Sequence, residues 1–294
     1  MDVPRKKYFI SYLPDWIALI LFGVIGAAFT FLKPFDREFS INDKSIQHQF
    51  KSDSVPFWLA VVICYIVPVI AIVIICLFVK RSFYNMHIGI LAITLAQVIT
   101  LTFTNIIKNM VGRHRPDFIA RCKPDLSKIN MASAFSIPSN TTILSDPTLS
   151  FFTNTICTNQ DKNVLHDGMR SFPSGHSSAS FCGLFFFSLY LAGALSLYDR
   201  KGYAAKAIIF VIPLLVASVI AVSRTSDYRH HWQDVTVGGL LGMVVAYFVY
   251  YVYYPKLSSS NCNSPYYQRF SDTEYRSHDE EEEFADFNSN SRQN

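Results

Sequence analysis

Six stretches of the chain consist almost entirely of apolar residues, and polar or charged connections separate them. An α-helix of about 20 such residues crosses the hydrocarbon core of a bilayer. We therefore predict an all-α, polytopic membrane protein with six transmembrane helices. The predicted spans are 16–32, 56–79, 88–107, 179–198, 207–222 and 235–254.

Composition agrees with a membrane protein. Of the 294 residues, 50% are hydrophobic and only 16% are charged, and the apolar residues cluster as described. The formal net charge of +4 is small for this length, and no basic stripe interleaved with aromatic residues is present. Nucleic acid is therefore excluded as a partner, and the lipid bilayer is the expected surroundings.

The spans divide the chain into three predicted regions. Residues 1–15 form a short basic head, and residues 16–254 form the six-span domain, in which 108–178 is a long polar loop. Residues 255–294 are rich in Ser, Asn and acidic residues, which is typical of a disordered tail. An acidic interaction motif is the alternative interpretation of this tail.

The distribution of basic residues predicts the orientation. Lys and Arg concentrate in the head and in the loops at 80–87 and 199–206, so this side and both termini should be cytosolic. The connections 33–55, 108–178 and 223–234 then face the lumen or the outside. There, Asn140 begins an N-glycosylation sequon, and Cys122 and Cys157 are the only cysteines on the predicted lumenal side. A disulfide between these cysteines is a hypothesis.

Three segments that are distant in sequence carry the candidate chemistry, and the topology places them at one membrane surface. They are 108–116, 173–176 and 223–234. Lys108, Arg115 and Arg224 have no matching acids nearby in sequence, so their convergence would require a polyanion such as phosphate. Ser174 and Gly175 precede a predicted helix, whose free N–H groups favour an anion.

Two imidazoles complete the set of candidate catalytic groups. His176 and His230 could act together, one attacking phosphorus and the other giving a proton to the leaving oxygen. Asp234 follows His230 by four residues, which places both on one face if the last helix already begins there, and it could hold the attacking imidazole. His114, His166 and His231 are interpreted as loop or packing residues. The carboxylates near these motifs are single, so no metal site is predicted.

The combined motifs resemble a known family. K-x6-R-P (Lys108, Arg115, Pro116), P-S-G-H (173–176) and S-R-x5-H-x3-D (223–234) are similar to the signatures of the type 2 phosphatidic acid phosphatases, or lipid phosphate phosphatases. The resemblance covers roughly residues 10–255. The flanking stretches 112–122 and 168–178 are most similar to the yeast-type diacylglycerol pyrophosphate phosphatases.

The resemblance implies a magnesium-independent enzyme without a cofactor, in which His230 is the nucleophile that becomes a phosphohistidine. It implies His176 as the general acid, with Asp234 orienting His230. The implied phosphate ligands are Lys108, Arg115, Ser174, Gly175 and Arg224.

The expected substrates are diacylglycerol pyrophosphate and phosphatidate, with lysophosphatidate or another lipid phosphate as further candidates. Vacuolar, endoplasmic reticulum, Golgi and plasma membranes all satisfy the topology. Two alternatives remain: a haloperoxidase, which shares the motif set but which six spans argue against, and a catalytically silent protein that binds lipid phosphates. A silent relative should lack one of the two histidines, and both are present.

Overall fold

The computed structural model describes residues 5–125, 127 and 151–266, and only the backbone of residues 5–9. These parts of the chain are all-α, and their only extended pairing consists of two isolated bridges, Phe39 with Phe152 and Pro124 with Cys157. The candidate glycosylation site Asn140 lies outside the described residues.

Six of the helices are long and apolar enough to cross a membrane, which confirms the predicted fold class. Two short helices, α4 and α5, lie in the loop between the third and fourth spans. The bounds are α1 Arg5–Phe31, α2 Phe57–Val79, α3 Phe83–Val111, α4 Phe118–Cys122, α5 Lys162–Gly168, α6 Gly175–Ala194, α7 Ala204–Ser226 and α8 Trp232–Tyr253.

The helices extend beyond the predicted spans at the end that carries the candidate chemistry. α3 continues to Val111 and ends at Gly112, whose left-handed φ of 59° suits glycine, so Lys108 lies on the helix and not in a loop. A methyl group at Gly112 would also lie 2.1 Å from the carbonyl oxygen of Phe35. In the same way, α7 continues to Ser226 and includes Arg224, which was predicted to lie in a connection.

Proline shapes α2. A π-helical turn, Val62–Ile66, directly precedes Val67 and Pro68. Proline has no N–H group to donate to the regular helical ladder, and a π turn is one way in which the backbone adapts to that loss.

Helix α6 is the centre of the bundle. In the apolar part of α6, 72% of the residues are buried, whereas in that of α1 only 11% are buried. α8 packs closely along α6 because three glycines, Gly238, Gly239 and Gly242, leave room for the α6 backbone and side chains. A methyl group at Gly242 would lie 2.2 Å from the carbonyl oxygen of Ser178.

The polar residues of α3 face the interior of the bundle, as their pattern predicts. Gln97 donates to the carbonyl oxygen of Ala179 on α6 at 3.0 Å, and the Thr104 hydroxyl lies 2.9 Å from that of Ser178. Asn105 donates to the carbonyl oxygen of Gly26 on α1 at 3.3 Å. These bonds hold α1 and α6 against α3 without any hydrophobic driving force between helices.

The connection 33–55 and the described parts of the next one, 112–125 and 151–174, form a compact cap over one end of the bundle. Its own apolar core, here called the cap cluster, consists of Phe39, Ile46, Phe118, Cys122, Phe152, Ile156, Leu165 and Met169. A disulfide joins Cys122 and Cys157 across 35 residues of sequence. Closing a loop of that length restricts the unfolded chain, which stabilises this small core.

The predicted boundary of the disordered tail is wrong. Residues 255–266 form a series of turns that folds back onto the bundle: Cys262 is buried, and Tyr266 donates its N–H to Tyr253 at 3.0 Å. Lys80 hydrogen-bonds the carbonyl oxygen of Asn263. The stretch beyond residue 266 lies outside the described residues.

The glycine packing generates a test of the bundle. Gly242→Ala should lower the free energy of unfolding by about 1–3 kcal/mol, because the added methyl group must push α8 away from α6. Gly23→Ala on α1 is the matched control, since its methyl group would be in ordinary contact, 3.6 Å from Val98. Thermal midpoints of the purified proteins in detergent would measure both. Equal midpoints for the two variants would contradict the close α6–α8 packing.

Candidate active site

A cavity of about 660 Å³ lies beneath the cap, at the end of the bundle where α3 and α7 end and α6 and α8 begin. It brings together six of the eight predicted catalytic and phosphate-binding residues, while Ser174 and Asp234 are buried next to it. The six are Lys108, Arg115, Gly175, His176, Arg224 and His230.

The start of α6 forms one wall of the cavity. Ser174 is its N-cap, with a side-chain oxygen that accepts the N–H of Ser177, and its own N–H is donated to the carbonyl oxygen of Asp234 at 2.9 Å. The free N–H groups at this helix start therefore begin at Gly175. A methyl group at Gly175 would lie 4.0 Å from Lys108 Nζ, so the ammonium group and the helix terminus face the same space.

The end of α7 fixes Arg224 and His230 relative to each other. After Ser226 the chain turns through Tyr228, whose φ is 54°, and the N–H groups of Arg229 and His230 both donate to the carbonyl oxygen of Arg224, at 3.0 and 3.2 Å. One backbone carbonyl thereby sets the distance between a cation and an imidazole in the cavity.

The hydrogen bonding of His230 defines its tautomer. Nδ1 lies 2.7 Å from the carbonyl oxygen of Ser171, which can only accept, so Nδ1 carries the proton and Nε2 presents a lone pair. Burial lowers the pKa of His230 well below its ordinary value, and the cations Lys108, Arg115 and Arg224 lower it further. The imidazole is therefore neutral at physiological pH, the form that can act as a nucleophile.

The sequence predicts that the carboxylate of Asp234 holds the ring of His230 directly, but the structure shows no hydrogen bond between them. α8 begins at Trp232, so His230 precedes the helix, and its Nδ1 is 4.0 Å from Asp234 Oδ2. Asp234 instead accepts the backbone N–H of His231 at 3.0 Å and the hydroxyl of Ser171 at 2.5 Å. Its influence on His230 runs through Ser171, whose carbonyl oxygen holds the ring.

Asp234 also anchors the beginning of α8. The Nδ1 atom of His231 lies 3.2 Å from Asp234 Oδ2, and the two residues form a reciprocal capping box. Arg113 contacts the other carboxylate oxygen at 2.6 Å. His231 is thus a capping residue, and His114, which packs against the rings of Phe39 and Phe118, is a packing residue as predicted.

The second imidazole of the cavity belongs to His176 on the first turn of α6. Its Nε2 atom is buried and makes no hydrogen bond with the residues that the structure describes, and its ring meets Phe57 edge to face at 5.5 Å. A buried nitrogen without a partner is costly. It is available to a ligand in the cavity.

Two carboxylates that the sequence reasoning did not identify also line the cavity. Asp167 contacts Arg115 at 2.7 Å, and Asp53 contacts Arg224 at 2.8 Å. Although burial opposes ionisation, the adjacent guanidinium groups keep the pKa values of Asp167 and Asp53 below the ordinary value. Arg115 and Arg224 therefore have acidic partners from distant parts of the chain, whereas Lys108 donates to the carbonyl oxygen of Arg170 at 3.2 Å.

Arg229 is the other residue that was missed. It lines the cavity directly before His230, and its Nε lies 2.8 Å from Asp53 Oδ1. Four cationic side chains and two carboxylates now line the cavity, which leaves an excess of two positive charges. This excess matches a phosphate group in its doubly charged form.

Comparisons with known proteins agree with this geometry. Residues 86–258 match the PAP2 superfamily. The chain is 37% identical to lipid phosphate phosphatase 2 of Arabidopsis thaliana over 83% of this chain and 78% of that protein. It is 34% identical to diacylglycerol pyrophosphate phosphatase 1 of Saccharomyces cerevisiae over 83% of this chain and 80% of that protein. No solved structure matches the chain significantly.

The anchoring role of Asp234 is testable by stability. Asp234→Asn removes the charge that pairs with Arg113 and keeps the shape of the side chain, so the free energy of unfolding should fall by about 1–3 kcal/mol. Asp199→Asn is the matched control, because the pair of Asp199 with Lys206 lies far from the cavity and near the surface, where such pairs contribute little to stability. Thermal unfolding that affected both variants equally would contradict the role.

Proposed function

The chain belongs to the PAP2 superfamily, and from that premise we propose that it is a lipid phosphate phosphatase. Its substrates are diacylglycerol pyrophosphate, which it converts to phosphatidate, and phosphatidate, which it converts to diacylglycerol. Lysophosphatidate is a further candidate substrate. The names of its relatives support this chemistry, since they include both a lipid phosphate phosphatase and a diacylglycerol pyrophosphate phosphatase.

The observation that carries the proposal is the two-part character of the cavity. Its polar end holds the cations and the two imidazoles, whereas its remaining walls come from membrane-spanning helices. These walls include small residues of α1 and apolar residues of α2 and α3, namely Gly23, Gly26, Ala27, Phe57, Val98 and Leu101, together with the polar Thr102, Thr104 and Asn105 of α3. Such a cavity accommodates a phosphate headgroup whose acyl chains remain in an apolar environment.

The proposed reaction proceeds in two displacements. His230 Nε2 attacks phosphorus, forming a P–N bond as the bond from phosphorus to the leaving oxygen breaks, and His176 gives that oxygen a proton. A water molecule then attacks the phosphohistidine while His176 takes its proton. The P–N bond breaks, which restores His230 and releases inorganic phosphate.

The cations stabilise the charge that develops on the phosphoryl oxygens. Lys108, Arg115, Arg224 and the N–H of Gly175 already face the cavity before a substrate arrives, so little reorganisation is needed in the transition state. Ser171 keeps the Nδ1 proton of His230 in place, so that Nε2 is the attacking atom.

The proposal includes independence from magnesium. The carboxylates that line the cavity, Asp53 and Asp167, are each engaged with guanidinium groups and are therefore not free to ligate a divalent cation. The fixed cations neutralise the charge of the phosphate, which is the role of the metal ions in two-metal phosphatases.

The proposed orientation places both termini in the cytosol and the cavity on the lumenal side of a vacuolar, endoplasmic reticulum or Golgi membrane. The basic loops of the sequence support it. The disulfide between Cys122 and Cys157 also supports it, because disulfides persist in oxidising compartments. In this orientation, residues 16–254 are the phosphatase domain, with the loop between α3 and α6 in the lumen.

The nucleophile can be tested by substitution. His230→Ala should reduce phosphate release from micellar phosphatidate by at least about a thousandfold, because the variant lacks the imidazole nitrogen that attacks phosphorus. His166→Ala is the matched control, since His166 lies outside the cavity lining, and it should retain activity. Turnover that survived in His230→Ala would contradict the assignment.

Metal independence can be tested with the same assay. Phosphate release by the wild-type protein should be unchanged after incubation with excess EDTA, because the described carboxylates at the site are occupied by arginines. Binding of phosphatidate without any turnover, in the presence or absence of magnesium, would contradict the enzymatic function and favour a silent binding protein.

A further inference from the structure

Two of the arginines that line the cavity, Arg224 and Arg115, are connected by an unbroken series of alternating charges, here called the ion chain. It runs from Arg224 through Asp53, Arg229, Asp117, Arg121 and Asp167 to Arg115. The five closest contacts are between 2.7 and 2.9 Å, and the contact of Arg229 with Asp117 is 3.6 Å. The residues of the ion chain come from four separate segments of the sequence.

Arg229 is the member of the ion chain with unused binding capacity. Its side chain is only 8% exposed, lines the cavity and lies over the ring of Phe50 at 4.6 Å, yet its buried Nε has no hydrogen-bond partner among the described residues. Nε is 2.8 Å from Asp53 Oδ1, but the N–H is not aligned with that oxygen, and the Asp117 contact is longer than a hydrogen bond. A guanidinium group has five N–H donors, and burying them without acceptors is costly.

Arg224 provides the comparison. It shares the same carboxylate oxygen of Asp53, at 2.8 Å, and also donates to the carbonyl oxygen of Val55 at 3.2 Å. A single oxygen atom therefore already bridges Arg224 and Arg229. An ionised phosphoryl oxygen accepts hydrogen bonds, as that carboxylate oxygen does. It could therefore also be shared by Arg224 and Arg229.

Arg121 is the member that holds the others in place without reaching the cavity. Its side chain is 3% exposed, and its two terminal nitrogens each contact a different carboxylate at 2.9 Å. One of these, Asp167, contacts Arg115, and the other, Asp117, contacts Arg229. The fork of one guanidinium thus aligns the partners of two cavity arginines, a geometry that lysine cannot reproduce.

The surroundings make Arg121 a rigid support. The adjacent Cys122 is bonded to Cys157, and the carbonyl oxygen of Arg121 accepts a hydrogen bond from Asn159 at 2.8 Å. Gly168 has no side chain that would collide with Arg121 Cδ, which a methyl group there would approach to 3.0 Å. The same glycine accepts the N–H of Arg115 through its carbonyl oxygen.

From these contacts we propose that Arg229 is a further phosphate-binding residue of the site, and that Arg121 is a positioning residue that aligns Arg229 and Arg115 through Asp117 and Asp167. The proposal rests on the proposed function for its ligand class, a phosphoryl group. It adds a fourth side-chain cation to the three that the sequence motifs predict.

The experiment measures binding of inorganic phosphate to the full chain in detergent, with ionic strength held constant by chloride. The rise of the thermal midpoint with phosphate concentration gives an apparent Kd without any lipid. A chain that bound phosphate but released none from lipids would contradict the proposed function and leave this proposal standing, so the two can fail separately.

Four proteins form a double-mutant cycle: wild type, Arg229→Gln, Arg121→Lys and the double variant. Arg229→Gln should weaken phosphate binding by about tenfold or more, the range for losing a hydrogen bond to a charged group. Arg121→Lys keeps the charge but loses the fork, and a weakening of about threefold to tenfold is expected. The double variant should bind phosphate better than the product of the two single losses predicts, because Arg121 acts through Arg229.

Leu165→Ala is the control for general loosening of the cap. Leu165 belongs to the cap cluster and carries no charge, so its truncation lowers the thermal midpoint without touching the ion chain. Its phosphate Kd should remain that of the wild type. The proposal would be overturned if Arg229→Gln left the Kd unchanged, if the two single losses multiplied, or if Leu165→Ala weakened phosphate binding as much as Arg121→Lys.

Discussion

Buried positive charge is the constraint on which the rest of this structure depends. Arg115, Arg224 and Arg229 are each more than nine-tenths buried, at one end of a bundle of helices that are long and apolar enough to cross a membrane. A charge in such a place requires a nearby anion. Three aspartates supply that anion in the ion chain, yet the cavity keeps an excess of positive charge, which is what a phosphate group can neutralise.

The helix ends convert this electrostatic requirement into a defined geometry. Gly112 allows α3 to end one turn after Lys108, and Ser174 caps α6. The carbonyl oxygen of Arg224 accepts two backbone N–H groups and so fixes the turn that leads to His230. The glycines of α8 allow it to pack closely on α6. This packing brings the turn that leads to His230 against the capped start of α6. Small changes of helix separation would therefore move an imidazole relative to a cation, and the tight core limits such changes.

Much of this architecture could be predicted from the sequence, for identifiable reasons. Long apolar runs reveal the spans, and Lys108, His176 and His230 stand out because charged and polar groups beside such runs are expensive unless they are functional. The partners of these residues could not be predicted. Asp53 lies 171 residues from Arg224 in sequence, and Asp167 lies 52 from Arg115, so only tertiary structure connects them. The support of His230 by a backbone carbonyl of Ser171 is equally invisible, because every residue carries such a group. The helix ends were underestimated because polar residues such as Lys108 and Arg224 were interpreted as loop residues, although they remain helical while facing a polar cavity.

We propose that a neutral His230, held by Ser171 and surrounded by fixed cations, attacks phosphorus through Nε2. Rapid quenching of the wild-type protein during turnover of phosphatidate, followed by mass spectrometry of its peptides, tests this most directly. We expect a phosphoryl group on His230 that forms before free phosphate accumulates and decays as the substrate is consumed. Turnover without any phosphorylated histidine, or with the phosphoryl group on another residue, would contradict it.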